Sequence, residues 1–341
     1  QAAEQALWSA YHGGRLGHAW LIAGPRGIGK ATLAFRFARY LLASPGPSTE
    51  EGGRSADLGV DPDHPVFRRV AGGSHGDLMT VERTANEKTG RMRGEITVLD
   101  ARRLPRFFAT TAAEGGWRVA VVDCVEEMNR HAANALLKTL EEPPRNTLIL
   151  LISHSPDGIL PTLRSRCRML PLRPLDEADM CALMAVRFPE FAEADTLALA
   201  RLSNGSPGRA FPLAAAGGLE VYRDMVTLLG SLPRIDGAAL HRFADRFARE
   251  ANAELYRAMR ELLLAWIARM VREAAAETSG EDIVPGERAL MQRLSARRGL
   301  DPWLEVWENI GRLFVQADSV KLDKKQVVMS AFTTLEKAAR G

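Results

Sequence analysis

The chain has 341 residues, 46% hydrophobic and 26% charged, a globular balance that excludes a disordered or fibrous protein and suits about two domains. With 45 Lys and Arg against 42 Asp and Glu the net charge is +3, so charge alone gives no argument for nucleic acid. Arginine outnumbers lysine 38 to 7, which we read as coding bias rather than as selection for phosphate binding.

The chain opens on Gln1 rather than Met, so a few residues are expected ahead of it. Residues 19–23 (AWLIA) form a short apolar run of the buried-strand kind. GPRGIGK follows, and residues 31–42 then carry Leu33, Phe37, Tyr40 and Leu41 at helical spacing. Residues 44–64 are rich in Gly, Pro and Ser and read as a flexible insertion. Residues 66–70 and 77–81 are strand candidates, and 82–94 read as a charged loop. Residues 96–99 read as extended, with Asp100 capping a helix that contains Pro105. Residues 117–123 (WRVAVVD) are a buried strand. Asn129 caps the next helix, Pro143 and Pro144 end it, and residues 147–153 (TLILLIS) are another apolar strand. Strand, helix and strand in succession imply parallel pairing.

After Pro174 only helices are expected, with breaks at 204–208, near Pro233, at 279–285 and at 299–302. The expected fold is an α/β P-loop domain with a parallel sheet over residues 1–172, a small helical domain over 173–214 and an all-α domain over 215–341. Cys124, Cys167 and Cys181 have no CxxC spacing, which points to reduced thiols, a cytoplasmic location and no zinc. No apolar run is long enough to cross a membrane.

Gly24-Pro25-Arg26-Gly27-Ile28-Gly29-Lys30 lies between a predicted strand and a predicted helix, where a phosphate-binding loop belongs. Glycines let backbone N–H groups close around phosphates, the helix start adds positive charge, and Lys30 would reach the β- and γ-phosphates. The next position normally holds Mg²⁺ through a hydroxyl. Here it is Ala31, and Thr32 comes one residue late, turned by about 100° around the helix. The strand RVAVVD ends in Asp123, a Walker B pattern in which the carboxylate orients Mg²⁺ through water. Cys124 stands where ATPases of this class carry the glutamate that polarises water. A glycine turn with a solvated lysine and a strand-end cap are the plainer readings, and the pairing of the two motifs favours nucleotide. Binding with slow or absent hydrolysis is therefore expected. Glu126 and Glu127 are read as surface residues.

NALLKTLEEPP at 134–144 and LRSRC at 163–167, with HAWL at 18–21 and LSNGSPG at 202–208, resemble the bacterial DNA polymerase III clamp-loader subunits over essentially the whole chain. The resemblance implies an AAA+ module, a helical lid over 173–214 and a helical collar over 215–341 through which five subunits form an open ring. Gamma/tau subunits carry a complete P-loop and Asp-Glu, so Ala31 and Cys124 point to the delta-prime type; a gamma/tau-like ATP-hydrolysing subunit is the alternative. The implied task is to help load the sliding clamp on primed DNA, with gamma/tau and delta subunits as partners and clamp and DNA met through the assembled complex.

The nucleotide-binding residues carried over are Gly24, Pro25, Arg26, Gly27, Ile28, Gly29, Lys30, Ala31, Thr32 and Asp123. Arg166 is implied as an arginine finger that completes a neighbouring gamma/tau site in trans. Lys30 leaves ATP binding open, and Mg²⁺ is weakly supported. Delta-prime subunits usually carry a four-cysteine zinc module where residues 44–64 stand, so zinc is not expected. Ser153 and His154 are weaker candidates for sensing a γ-phosphate, and Arg209 is one position late for a nucleotide-sensing role.

Overall fold

The computed structural model describes residues 2–44, 57–85, 90, 92–113, 116–278 and 280–340. Residues 45–56 of the expected insertion lie outside them. The chain forms two compact units, Gln1–Pro174 and Leu175–Gly341.

In the first unit, helix α1 (Ala2–His12) leads into strand β1 (Ala19–Ala23) and helix α2 (Lys30–Ala43). Then come α3 (Pro65–Ala71), β2 (Leu78–Val81), α4 (Val98–Ala101), α5 (Arg103–Ala109), β3 (Arg118–Val122) and α6 (Arg130–Glu141). Strand β4 (Thr147–Ser153), helix α7 (Pro161–Arg164) and β5 (Arg168–Pro171) complete it. The five strands form one sheet in the order β2-β3-β4-β1-β5, and every neighbouring pair is parallel.

The strands β1, β3 and β4 are buried along their whole length. Both faces of the sheet are covered, which is why these strands read as unbroken apolar runs rather than alternating ones. Ala19, Leu21, Ala120, Val122, Ile149 and Leu151 pack on one face with Leu104, Leu136 and Leu140. Trp20, Ile22, Val119, Val121, Leu148 and Leu150 pack on the other with Leu7, Phe37 and Leu41. Because all five strands run the same way, the residues that follow β1, β3 and β4 share one edge of the sheet.

Three local readings need correction. Residues 66–70 are helical, not a strand. Pro65 opens α3 and the His64 ring accepts the N–H of Val66 (3.2 Å), while Val66 and Val70 bury one helical face. Thr97, not Asp100, caps the helix after β2. Asp100 instead takes the N–H and hydroxyl of Thr97 in a capping box. The helix then breaks at Arg102, so Pro105 falls in the first turn of α5, where its missing N–H costs no bond. Within the expected insertion, Leu58 is fully buried beside α1 and α2 residues.

The second unit is helical throughout its described residues: α8 (Glu177–Arg187), α9 (Glu193–Ser203), α10 (Pro207–Ala215), α11 (Gly218–Gly230), α12 (Gly237–Asp245), α13 (Ala253–Ala275), α14 (Glu287–Arg298), α15 (Asp301–Val320) and α16 (Lys324–Arg340). One apolar cluster runs from Met180 of α8 to Ala339 of α16. Inside it Glu287 is completely buried: it accepts the Tyr222 hydroxyl and the N–H of Ile283 (3.1 Å) and pairs with Arg269 (3.3 Å). No helix among the described residues is long and apolar enough to cross a membrane.

Candidate nucleotide site

Gly24 leaves β1 and donates its N–H to the Ser153 carbonyl (3.2 Å). Its φ is +150°, and a Cβ there would stand 2.4 Å from the Leu172 carbonyl oxygen, so only glycine fits. Gly27 (φ 82°) and Gly29 (φ 92°) turn the loop back on itself. Gly29 then caps α2 with no side chain of its own, which leaves the first-turn N–H groups of α2 to an outside acceptor. Pro25, Arg26 and Ile28 lie between these glycines, and Ile28 is buried.

Lys30 is the first residue of α2 and is 3% exposed. Its ammonium donates to the carbonyls of Gly24 and Pro25, both at 2.6 Å. Burial depresses its affinity for the proton, opposed chiefly by Glu126 and then by Asp123. The loop therefore fits a phosphate in both backbone and charge. The metal half fits poorly: Ala31 offers a methyl group, and Thr32 is exposed. Among the described residues no group of three or more His, Cys, Asp and Glu could hold a metal ion.

Asp123 follows β3 and donates its N–H to the Val81 carbonyl (2.9 Å). Cys124 turns into the left-handed region (φ 55°, ψ 58°) and starts a short turn through Glu127. Burial, reinforced by the carboxylates of Asp123, Glu127 and Glu126, pushes the Cys124 thiol up to about 12. Such a thiol cannot take a proton from water at neutral pH, so it does not replace the missing glutamate.

Its Sγ lies 3.4 Å from Nε2 of His154, which follows β4. Burial first and the Lys30 ammonium second push the His154 imidazole below its usual range. Ser153 is fully buried, and its hydroxyl accepts the Ser155 N–H (3.1 Å).

Arg166 is in a different place. It precedes β5, donates to the Thr162 carbonyl (3.0 Å) and pairs with Glu141 at the end of α6 (2.8 Å). In the β1–β5 pairing Trp20 lies opposite Arg168 and Ala23 opposite Pro171. Arg166 thus sits at the edge where β1 begins and the phosphate loop at the edge where β1 ends. The strand between them is about 13 Å long at ~3.3 Å per residue. The structure brings Lys30, Asp123, Cys124, Glu126 and His154 together and leaves Arg166 out of this chain's own loop.

Residues 1–176, more than half of the chain, match the family described as DNA polymerase III, delta subunit. The chain belongs to that family. Among curated relatives, the DNA polymerase III subunit delta' of Pseudomonas aeruginosa is 41% identical over 208 residues, covering 60% of this chain and 58% of the relative. The subunit delta' of Escherichia coli is 34% identical over 209 residues, 61% of this chain and 58% of the relative. The subunit tau of Escherichia coli is 33% identical over 163 residues, 48% of this chain and 23% of tau. The matched region thus spans less than two thirds of the length of these relatives.

The reading of Glu126 as a surface residue is overturned, whereas Glu127 stays partly exposed. Glu126 accepts the His154 N–H through Oε1 (2.8 Å), and its Oε2 is buried without a hydrogen-bond partner. Glu127 pairs with Arg83 (2.7 Å). The sequence holds a signal for this: polar residues just after two neighbouring parallel strands must meet at one edge, and Asp123 to Glu126 follow β3 as His154 follows β4.

Proposed function

We propose that this chain is a delta-prime-type subunit of a DNA polymerase III clamp loader. It acts in the cytoplasm with gamma/tau and delta subunits, helping to load a sliding clamp on primed DNA. Its phosphate loop can take ATP but hydrolyses it slowly or not at all, and Arg166 serves the γ-phosphate held by a neighbouring gamma/tau subunit. The helices over 173–214 act as the lid and those over 215–341 as the oligomerising collar.

The observation that carries this reading is the opposition of the two sites on one sheet. Arg166 stands at the far edge from its own loop, which supports a role toward a phosphate held by another chain rather than its own. Ala31 and the high thiol of Cys124 supply the other half, since neither offers what hydrolysis needs. Membership of the family and the two delta' relatives support it.

The test is ATP turnover by the chain alone, by a gamma-type partner with the chain, and by that mixture carrying Arg166→Ala. The reading requires no turnover alone, turnover in the mixture, and a fall of about 10³-fold or more at the affected site on Arg166→Ala. Clear Mg²⁺-dependent turnover by the isolated chain overturns it in favour of a gamma/tau-like ATPase.

A further inference from the structure

The edge of the sheet that carries the phosphate loop also carries a carboxylate that the motif does not call for. Glu126 is held by the backbone N–H of His154, so its position is set by the end of β4. Its second oxygen is buried and has no hydrogen-bond partner. Lys30, the only lysine of the loop, is buried on the same edge and is hydrogen-bonded to the carbonyls of Gly24 and Pro25. Of the groups acting on the Lys30 charge, Glu126 is the strongest attractive one. A short run of hydrogen bonds ties the two together: the Lys30 ammonium to the Gly24 carbonyl, the Gly24 N–H to the Ser153 carbonyl, and the N–H of the next residue, His154, to Glu126, so a fixed anion and a fixed cation share the edge of the sheet that carries the phosphate loop.

We infer that Glu126 is a specificity-determining residue of this site, an internal anion that competes with the terminal phosphate of a nucleotide for Lys30. The inference rests on the phosphate-loop reading above. A bound phosphate would gain the ammonium of Lys30 and meet the carboxylate of Glu126 in a poorly solvated place, where like charges are little screened. The penalty grows with each phosphate that reaches Lys30. Glu126 therefore disfavours ATP more than ADP.

Calorimetric titration of the full chain with ATP and with ADP, each with Mg²⁺ and with EDTA, tests this. Glu126→Gln keeps an oxygen for the His154 N–H and removes the charge. The expected result is ATP binding tightened about tenfold and ADP binding tightened less, with or without Mg²⁺. Thermal unfolding of each variant identifies any that fails to fold, and Glu126→Ala, which also removes the charge, must shift the ATP-to-ADP ratio in the same direction. Binding that is unchanged overturns the inference and leaves the phosphate-loop reading standing. ATP binding weakened only in Mg²⁺ also overturns it, because the carboxylate would then be holding the metal. No binding of either nucleotide by any variant at millimolar concentration overturns the phosphate-loop reading and this inference with it.

Discussion

Cys124 and His154 meet at the ends of neighbouring strands, with Sγ 3.4 Å from Nε2. Burial and three carboxylates raise this thiol to about 12, and burial raises Cys167 to about 11. At pH 8 only about one Cys124 in 10,000 is then a thiolate, against about one in four for an ordinary thiol. The folded chain should react with a thiol reagent at pH 8 far more slowly at Cys124 and Cys167 than the unfolded chain does. Peptide mapping after a timed pulse checks it; fast labelling of Cys124 in the folded chain would contradict the assigned environment.

Gly24→Ala should be among the most damaging single changes in the first unit. The new Cβ meets the Leu172 carbonyl at 2.4 Å, and the backbone angle disfavours any side chain. A loss of about 2 kcal/mol or more is expected from urea unfolding. An equally stable variant would mean the loop takes another path.

Arg166→Ala should leave the isolated chain nearly as stable as before. Its ion pair with Glu141 has both side chains over a third exposed, at 37% and 50%. Such pairs contribute about 0.2–1 kcal/mol. Nucleotide affinity of the chain itself should not change either, because Arg166 stands at the other edge of the sheet. A large drop in melting temperature would give Arg166 a structural role and weaken the case for its action on a neighbour.

Glu287→Ala should cost the second unit about 1–3 kcal/mol, since it leaves the Tyr222 hydroxyl without its acceptor and takes from Arg269 one of its two carboxylates, the other being Glu273 at 2.8 Å. Burial first and Glu287 second also raise the Tyr222 phenol well above its usual range. The unfolded chain therefore releases this proton first as pH rises past about 10. Stability from Tyr222 is complete below that pH and is lost above it. Alkaline absorbance titration should show a phenol that ionises only as the fold is lost, and Glu287→Ala should bring it earlier.

What could be read before folding divides along physical lines. AWLIA, RVAVV and TLILLIS were legible because a parallel sheet covered on both faces demands unbroken apolar runs. The phosphate loop was legible because glycine at positive φ is a local requirement. Helix α3 was not: Val66 and Val70 satisfy a short strand pattern and a helical face equally, and the ring of His64 decides the matter only in three dimensions. Glu126 was missed because its meaning depends on β4 lying beside β3. Likewise Arg166 stands out in LRSRC, but the edge it occupies follows from the pairing of β5 with β1.

That pairing gives the first unit a direction. One edge carries an arginine and the other the phosphate loop, so copies in which each arginine serves a neighbour's loop, as proposed, line up nose to tail. A row built this way has two unlike ends: one whose arginine points at nothing and one whose cradle no neighbour completes. Under the proposed function, a chain that lends its arginine and hydrolyses little would suit only one of those ends, and a single sheet register would be enough to give the row a first and a last member.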